Sequence, residues 1–181
     1  MWLRGSENLR NMKTIKRIMA AAAVVLTMVC AAIPASAQLP NVQVKDLKGN
    51  VVNVAELSND GKPFVVSFFA TWCKPCMREL RAIADMYADW QEETGMKMVI
   101  VSIDEAQNVA KVRPLVDAEG WDYEVLLDSN SDFFRAMGLR TVPHVLVIDG
   151  DGKVAYTHSG YTDGSENELI EIVRKLNSAE K

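Results

Sequence analysis

The sequence predicts an α/β domain, a mixed central sheet flanked by helices, and three features carry that expectation. Two short continuous apolar runs, PFVVSFFA (63–70) and MKMVIVSI (96–103), have the length and make-up of strands buried on both faces. Between them Cys76, Leu80, Ile83, Tyr87 and Trp90 recur at spacings of four and three, which is one apolar stripe on a helix. Near the C-terminus HVLVID (144–149) and KVAYTHSG (153–160) flank a Gly-Asp-Gly turn and read as a hairpin. Strands alternating with helices give the α/β class, and the hairpin makes the sheet mixed rather than purely parallel.

The chain has 181 residues, and its first 37 read as a leader rather than as fold. KTIKR (13–17) is a positive head, Ile18 to Ile33 an apolar middle, and Ala35-Ser36-Ala37 a small-residue cleavage pattern. The apolar run is shorter than the ~20 residues of a comfortable membrane span, so cleavage after Ala37 is expected, with an uncleaved N-terminal anchor as the alternative. Met12 is the more natural start for such a segment. Cys30 leaves with it, and Val29 before it is not the small residue that a lipoprotein signal places there. The leader carries five of the 20 Lys/Arg and one of the 24 Asp/Glu, so residues 38–181 hold 15 basic and 23 acidic residues, net −8. Nothing in that balance attracts nucleic acid or anionic lipid, and it reads as a solvated acidic surface. The 144 remaining residues are enough for one domain with its own core.

Within residues 38–181 the elements follow in order. VQVKDLKGNVVNV (42–54) places two strand-like runs around Lys48-Gly49-Asn50, a second hairpin. After the first buried strand comes the striped helix, which Gly95 ends, and then the second buried strand. AQNVAKVRPLVDAEG (106–120) reads as a helix disturbed at Pro114, and YEVLLD (123–128) as a strand. SDFFRAMG (131–138) reads as a short helix capped by Ser131 or Asp132 and stopped at Gly138. GSENELIEIVRKLN (164–177) closes the chain as an amphipathic helix.

The chemistry lies in ATWCKPCMREL (70–80), where Cys73 ends a buried strand and enters the first turn of a helix. A structural staple is one reading of Cys73 and Cys76, but so short a loop restricts the unfolded chain least among possible crosslinks. A zinc site wants four ligands, and residues 38–181 add only His144 and His158, fourteen apart. A copper carrier using both sulfurs and Met77 is a further alternative. Redox exchange explains most. Unpaired amides and the dipole at a helix N-terminus stabilise a thiolate on Cys73. Pro75 suits a first turn, where its missing N–H loses nothing. Trp72 would cover the sulfur, and Lys74 adds a screened positive charge. Cys76, one turn on, is placed to attack a mixed disulfide formed at Cys73. Thr141-Val142-Pro143 stands just before a strand; a cis Val142–Pro143 bond there would leave the Val142 backbone free to pair with an extended substrate segment.

At this point the sequence resembles the thioredoxin superfamily, and more closely its extracytoplasmic TlpA/ResA-like thiol–disulfide oxidoreductases. FFATWCKPC (68–76) is similar to that branch's FWATWCxPC, and VKDLKGN, TVPHVLVIDGDGKV and GYTD follow its order over nearly all of residues 38–181. The resemblance implies a thioredoxin-like fold with an N-terminal β-hairpin and an inserted helix–strand segment at about 104–128. It implies Cys73 as the attacking thiol, Cys76 as the resolving thiol, and Pro143 as the cis-proline. Glu79 matches an acid kept near the cysteine pair for proton transfer, with a solvent-facing helix carboxylate as the plain alternative. One departure stands out: thioredoxin's buried aspartate, six residues before its first cysteine, is here Ser67.

The resemblance further implies no cofactor beyond a redox-active disulfide. Its partners would be disulfide-bearing proteins and a membrane thiol-transfer donor, with cytochrome c maturation as one setting. Fold does not fix the direction of electron flow, so an oxidase or isomerase with the same site is the alternative. A peroxiredoxin-type peroxidase would want Pro-x-x-x-Thr-x-x-Cys; counted back from Cys76, Phe69 and Cys73 occupy the Pro and Thr places.

Overall fold

The computed structural model describes residues 37–179. Residues 1–36 of the expected leader segment, with Met12 and Cys30, lie outside those residues.

Seven strands form one mixed sheet: β1 Gln43–Asp46, β2 Val51–Asn53, β3 Phe64–Phe69, β4 Lys97–Ser102, β5 Glu124–Leu127, β6 His144–Ile148 and β7 Val154–Ser159. Their order across the sheet is β2-β1-β5-β4-β3-β6-β7. β3, β4 and β5 are parallel, while β6 runs antiparallel to β3 and each terminal hairpin is antiparallel. The helices are α1 Lys74–Thr94, α2 Val112–Glu119, α3 Asp132–Ala136 and α4 Ser165–Ala179. The mixed sheet expected from the sequence is present, with a hairpin at each end of the order.

Strand period splits β3 between two cores. Val65 and Phe69 face a core built with Leu80, Ile83, Tyr87 and Trp90 of α1 and Leu169, Ile170 and Val173 of α4. Phe64, Val66 and Phe68 face the other, with Val44, Leu126, Phe133 and Phe134. Ser67 alternates with Val65 and Phe69, so its side chain points at α1. Each large apolar side chain buried in these layers contributes about 1.5–3 kcal/mol relative to exposure. Two polar ties fix α1 over the sheet: the Met98 amide donates to Tyr87 Oη at 3.0 Å, and Tyr123 Oη donates to the Leu80 carbonyl at 3.0 Å.

Two local expectations are corrected. The helix read over 106–120 begins only at Val112, after a short 3-10 turn at Val109–Lys111. Pro114 therefore sits in the first turn of α2, where no amide partner is required, and disturbs nothing. Ser131 precedes α3 as expected but caps nothing with its side chain, because its φ of 55° turns it away. The Asp128 carboxylate does the capping instead, accepting from the amides of Asp132, Phe133 and Phe134 at 2.8, 3.3 and 2.9 Å.

Candidate active site

β3 delivers the chain to one edge of the sheet, and three residues later α1 begins with Cys73 as its N-cap. Cys73 has extended backbone, φ −88° and ψ 97°, and Pro75 falls in the first helical turn. The two sulfurs are joined, with Cα atoms 5.3 Å apart. The Cys76 amide donates to Cys73 Sγ at 3.2 Å, so the sulfur takes the place that a serine or aspartate oxygen takes at other helix starts. Cys73 keeps 5% of its surface exposed and Cys76 none, which leaves one sulfur reachable from outside. Trp72 is 64% exposed and Lys74 and Pro75 are exposed as well. Trp72 thus projects into solvent beside the disulfide, an apolar surface rather than the cover expected.

The second half of the constellation comes from β6. Its register with β3 pairs His144 with Phe68, so Pro143 lies at the edge where the Cys73 loop begins. The Val142–Pro143 peptide bond is cis, and Pro143 is buried. The Pro143 carbonyl accepts from the Gly160 amide at 2.9 Å, and Thr141 Oγ1 lies 3.0 Å from Ser159 Oγ. The Val142 amide and carbonyl have no partner among the described residues, which leaves both open to an extended segment.

Glu79, three residues after Cys76, is not a solvent-facing carboxylate. It is 4% exposed, and Ser67 Oγ donates to its Oε2 at 3.0 Å. Burial pushes its pKa up to about 7; the Ser67 bond offsets part of that rise and the charge of Glu166 adds to it. Glu79 also borders a pocket of about 10 Å³, room for roughly one water, shared with Tyr156, His158, Ser165 and Glu166. The position at Ser67 therefore still meets an acid, supplied from α1 rather than from β3.

The two histidines do not converge. His158 pairs with Val145 and faces α1, while His144 points to the other side of the sheet and contacts Thr157 Oγ1 at 2.8 Å. Among the described residues there is no group of three or more His, Cys, Asp or Glu side chains placed to hold a metal ion. One polar residue near the site escaped sequence reasoning. Asp104, fully buried just past β4, accepts from the Thr71 amide and hydroxyl. Its signal was a carboxylate closing a buried strand, VSID, where nothing apolar explains it.

Comparison with known proteins agrees with this geometry. The profile of the AhpC/TSA family matches residues 35–157. The chain is similar to the thiol-disulfide oxidoreductase ResA of Halalkalibacterium halodurans, 27% identical over 141 residues and 77% of each chain. It is also similar to a thioredoxin-like protein of Porphyromonas gingivalis whose solution structure is known. That match has 56% identity and a TM-score of 0.70, over 77% of this chain and 92% of the other. StoA of Bacillus subtilis, at 22% identity and a TM-score of 0.58 over 74% of this chain and 98% of its own, shares the fold.

Proposed function

The chain belongs to the AhpC/TSA family, and from that premise we propose that it is an extracytoplasmic protein-disulfide reductase working through Cys73 and Cys76. It is a thiol–disulfide oxidoreductase, the activity for which its ResA relatives are named. The observation that carries the proposal is the asymmetric disulfide: the outer sulfur caps a helix and accepts an amide, and the inner sulfur is sealed in the core.

Amide and dipole both stabilise negative charge on Cys73, so it is the attacking thiolate. It attacks one sulfur of a substrate disulfide; the new Cys73–substrate bond forms, the substrate bond breaks, and one substrate sulfur leaves as thiolate. Cys76 gives its proton to Glu79 and attacks Cys73 Sγ. The mixed bond then breaks, and the second substrate sulfur leaves and takes up the proton. Two electrons pass to the substrate. A thiol donor at the membrane restores the dithiol by the reverse exchanges. Glu79 suits its role because it lies one turn from Cys76 on the same buried face and titrates near neutrality. Trp72, Lys74 and Pro75 on one side, and Thr141, Val142 and Pro143 on the other, flank the reachable sulfur and would hold an extended segment.

The proposed substrates are disulfide-bearing proteins outside the cytoplasm, haem-attachment cysteine pairs of c-type cytochromes among them. Residues 1–37 would direct export, and no helix of the described residues is long and apolar enough to cross a membrane. Trapping tests the roles. Cys76→Ser should accumulate mixed disulfides with substrates and Cys73→Ser should accumulate none; equal trapping by both variants would contradict the assignment. A protein that consumes peroxide in place of disulfides would overturn the reaction itself.

A further inference from the structure

The exchange chemistry above leaves one buried acid at the site unused. Asp104 has no exposed surface. Its Oδ2 accepts from the Thr71 amide at 2.8 Å and from Ser102 Oγ at 2.9 Å, and its Oδ1 accepts from Thr71 Oγ1 at 2.7 Å. Three donors thus converge on a group that as a carboxylate can only accept. The Asp104 amide in turn donates to Ser102 Oγ at 3.0 Å, which pins the carboxylate to the end of β4. Thr71 belongs to the three-residue loop between β3 and Cys73, and its Cα lies within about 7 Å of that of Cys73, the reach of two residues. The other backbone ties here are the Cys73 amide to the Ala70 carbonyl at 3.0 Å and the Ile103 amide to the Phe69 carbonyl at 2.9 Å. Among the described residues, only Asp104, just past the end of β4, reaches from outside the loop to the loop itself by hydrogen bonds.

We propose that Asp104 is a positioning residue for disulfide exchange: by holding the amide and hydroxyl of Thr71 it fixes the loop that presents Cys73 Sγ, and its buried charge opposes negative charge on that sulfur. The inference rests on reading Cys73 as the attacking thiol. Both effects have physical grounds. Misplacing a reacting atom by about 1 Å costs up to ~10²-fold in rate. A like charge close to a thiolate in a dry setting disfavours it, which keeps the sulfur a strong nucleophile and the reduced form less favoured.

Two substitutions test position and charge. Thr71→Val removes the hydroxyl bond and keeps the carboxylate; Asp104→Asn removes the charge and also puts an NH2 donor where one carboxylate oxygen accepts. The measurement is the rate of Cys73 alkylation by iodoacetamide against pH in the reduced protein, beside the rate of exchange with a protein disulfide. Near-UV circular dichroism serves as the check on folding. Asp104→Asn should move the alkylation midpoint to lower pH and slow exchange about tenfold at full ionisation. Thr71→Val should slow exchange and leave the midpoint in place, with Thr71→Ser restoring the rate. Folded variants that match the parent in both midpoint and exchange rate would overturn the proposal, and Thr71→Val keeps it testable should Asp104→Asn fail to fold. A parent protein whose Cys73 is alkylated no faster than Cys76 would instead sink the underlying reading of the site.

Discussion

Ser67 Oγ and Glu79 Oε2 meet at 3.0 Å in the core between β3 and α1, one turn of helix from the resolving sulfur. The hydroxyl comes from the sheet and the acid from the helix, and both are buried. Burial raises the pKa of the acid to about 7, so both its charged and its neutral form are populated near neutral pH, and the hydroxyl is the donor that favours the charged form.

Replacing Glu79 tests that pair in catalysis. Glu79→Gln keeps an acceptor for Ser67 but cannot take the Cys76 proton. It should slow turnover by about 10²-fold, the low end for a general acid–base group. The pH inflection near 7 should vanish from the rate profile. An unchanged profile would remove Glu79 from the reaction.

The same group should also leave a mark on stability. Its pKa is raised in the folded protein, so the folded state holds a proton that the unfolded state has released between about pH 4.5 and 7. Its stabilising effect is therefore complete below the unfolded value and lost as pH rises through about 7. A shift of this size corresponds to about 3 kcal/mol. Urea denaturation of the oxidised protein should show Glu79→Gln losing less stability than the parent between pH 5 and 8.

Ser67→Ala removes the donor that lowers the Glu79 pKa. The rate inflection should move above 7, and the carboxyl, left without its partner, should lose about 1 kcal/mol of stability. A pH profile and a denaturation curve of one variant check both.

Much of this was legible in the sequence. Continuous apolar runs gave β3 and β4, the four-and-three spacing gave the buried face of α1, and Cys73-Lys74-Pro75-Cys76 stood out where a strand meets a helix. What escaped were pairs that only sheet register brings together. Thr71 and Asp104 are 33 residues apart, and Ser67 meets Glu79 because alternation along β3 turns that one polar residue toward α1. The start of α2 is not legible because Pro114 reads as an interruption by residue type, while it belongs to a first turn. Ser131 looked like a cap by residue type, while the carboxylate three residues earlier had the geometry.

That cap supplies a prediction away from the chemistry. Asp128→Ala strips three amides of α3 of their acceptor and should cost about 1–2 kcal/mol of stability, read from the urea midpoint. Disulfide exchange should stay at the parent rate, since α3 packs on the opposite face of the sheet from α1.

Trp72 divides binding from folding. At 64% exposure it contributes little to the core, so Trp72→Ala should leave the melting temperature unchanged. Loss of an aromatic anchor at an interface should lower kcat/KM for a protein disulfide about tenfold or more. The rate with a small disulfide, which needs no such anchor, should hold.

The most direct test of the central claim is the reduction potential of the Cys73–Cys76 couple, measured by equilibrating the protein with defined dithiol/disulfide buffers. A reductase fed from the membrane should lie near thioredoxin's ~−270 mV or below. A value near the ~−120 mV of a strong oxidant would contradict the reductase and make this site a source of disulfides.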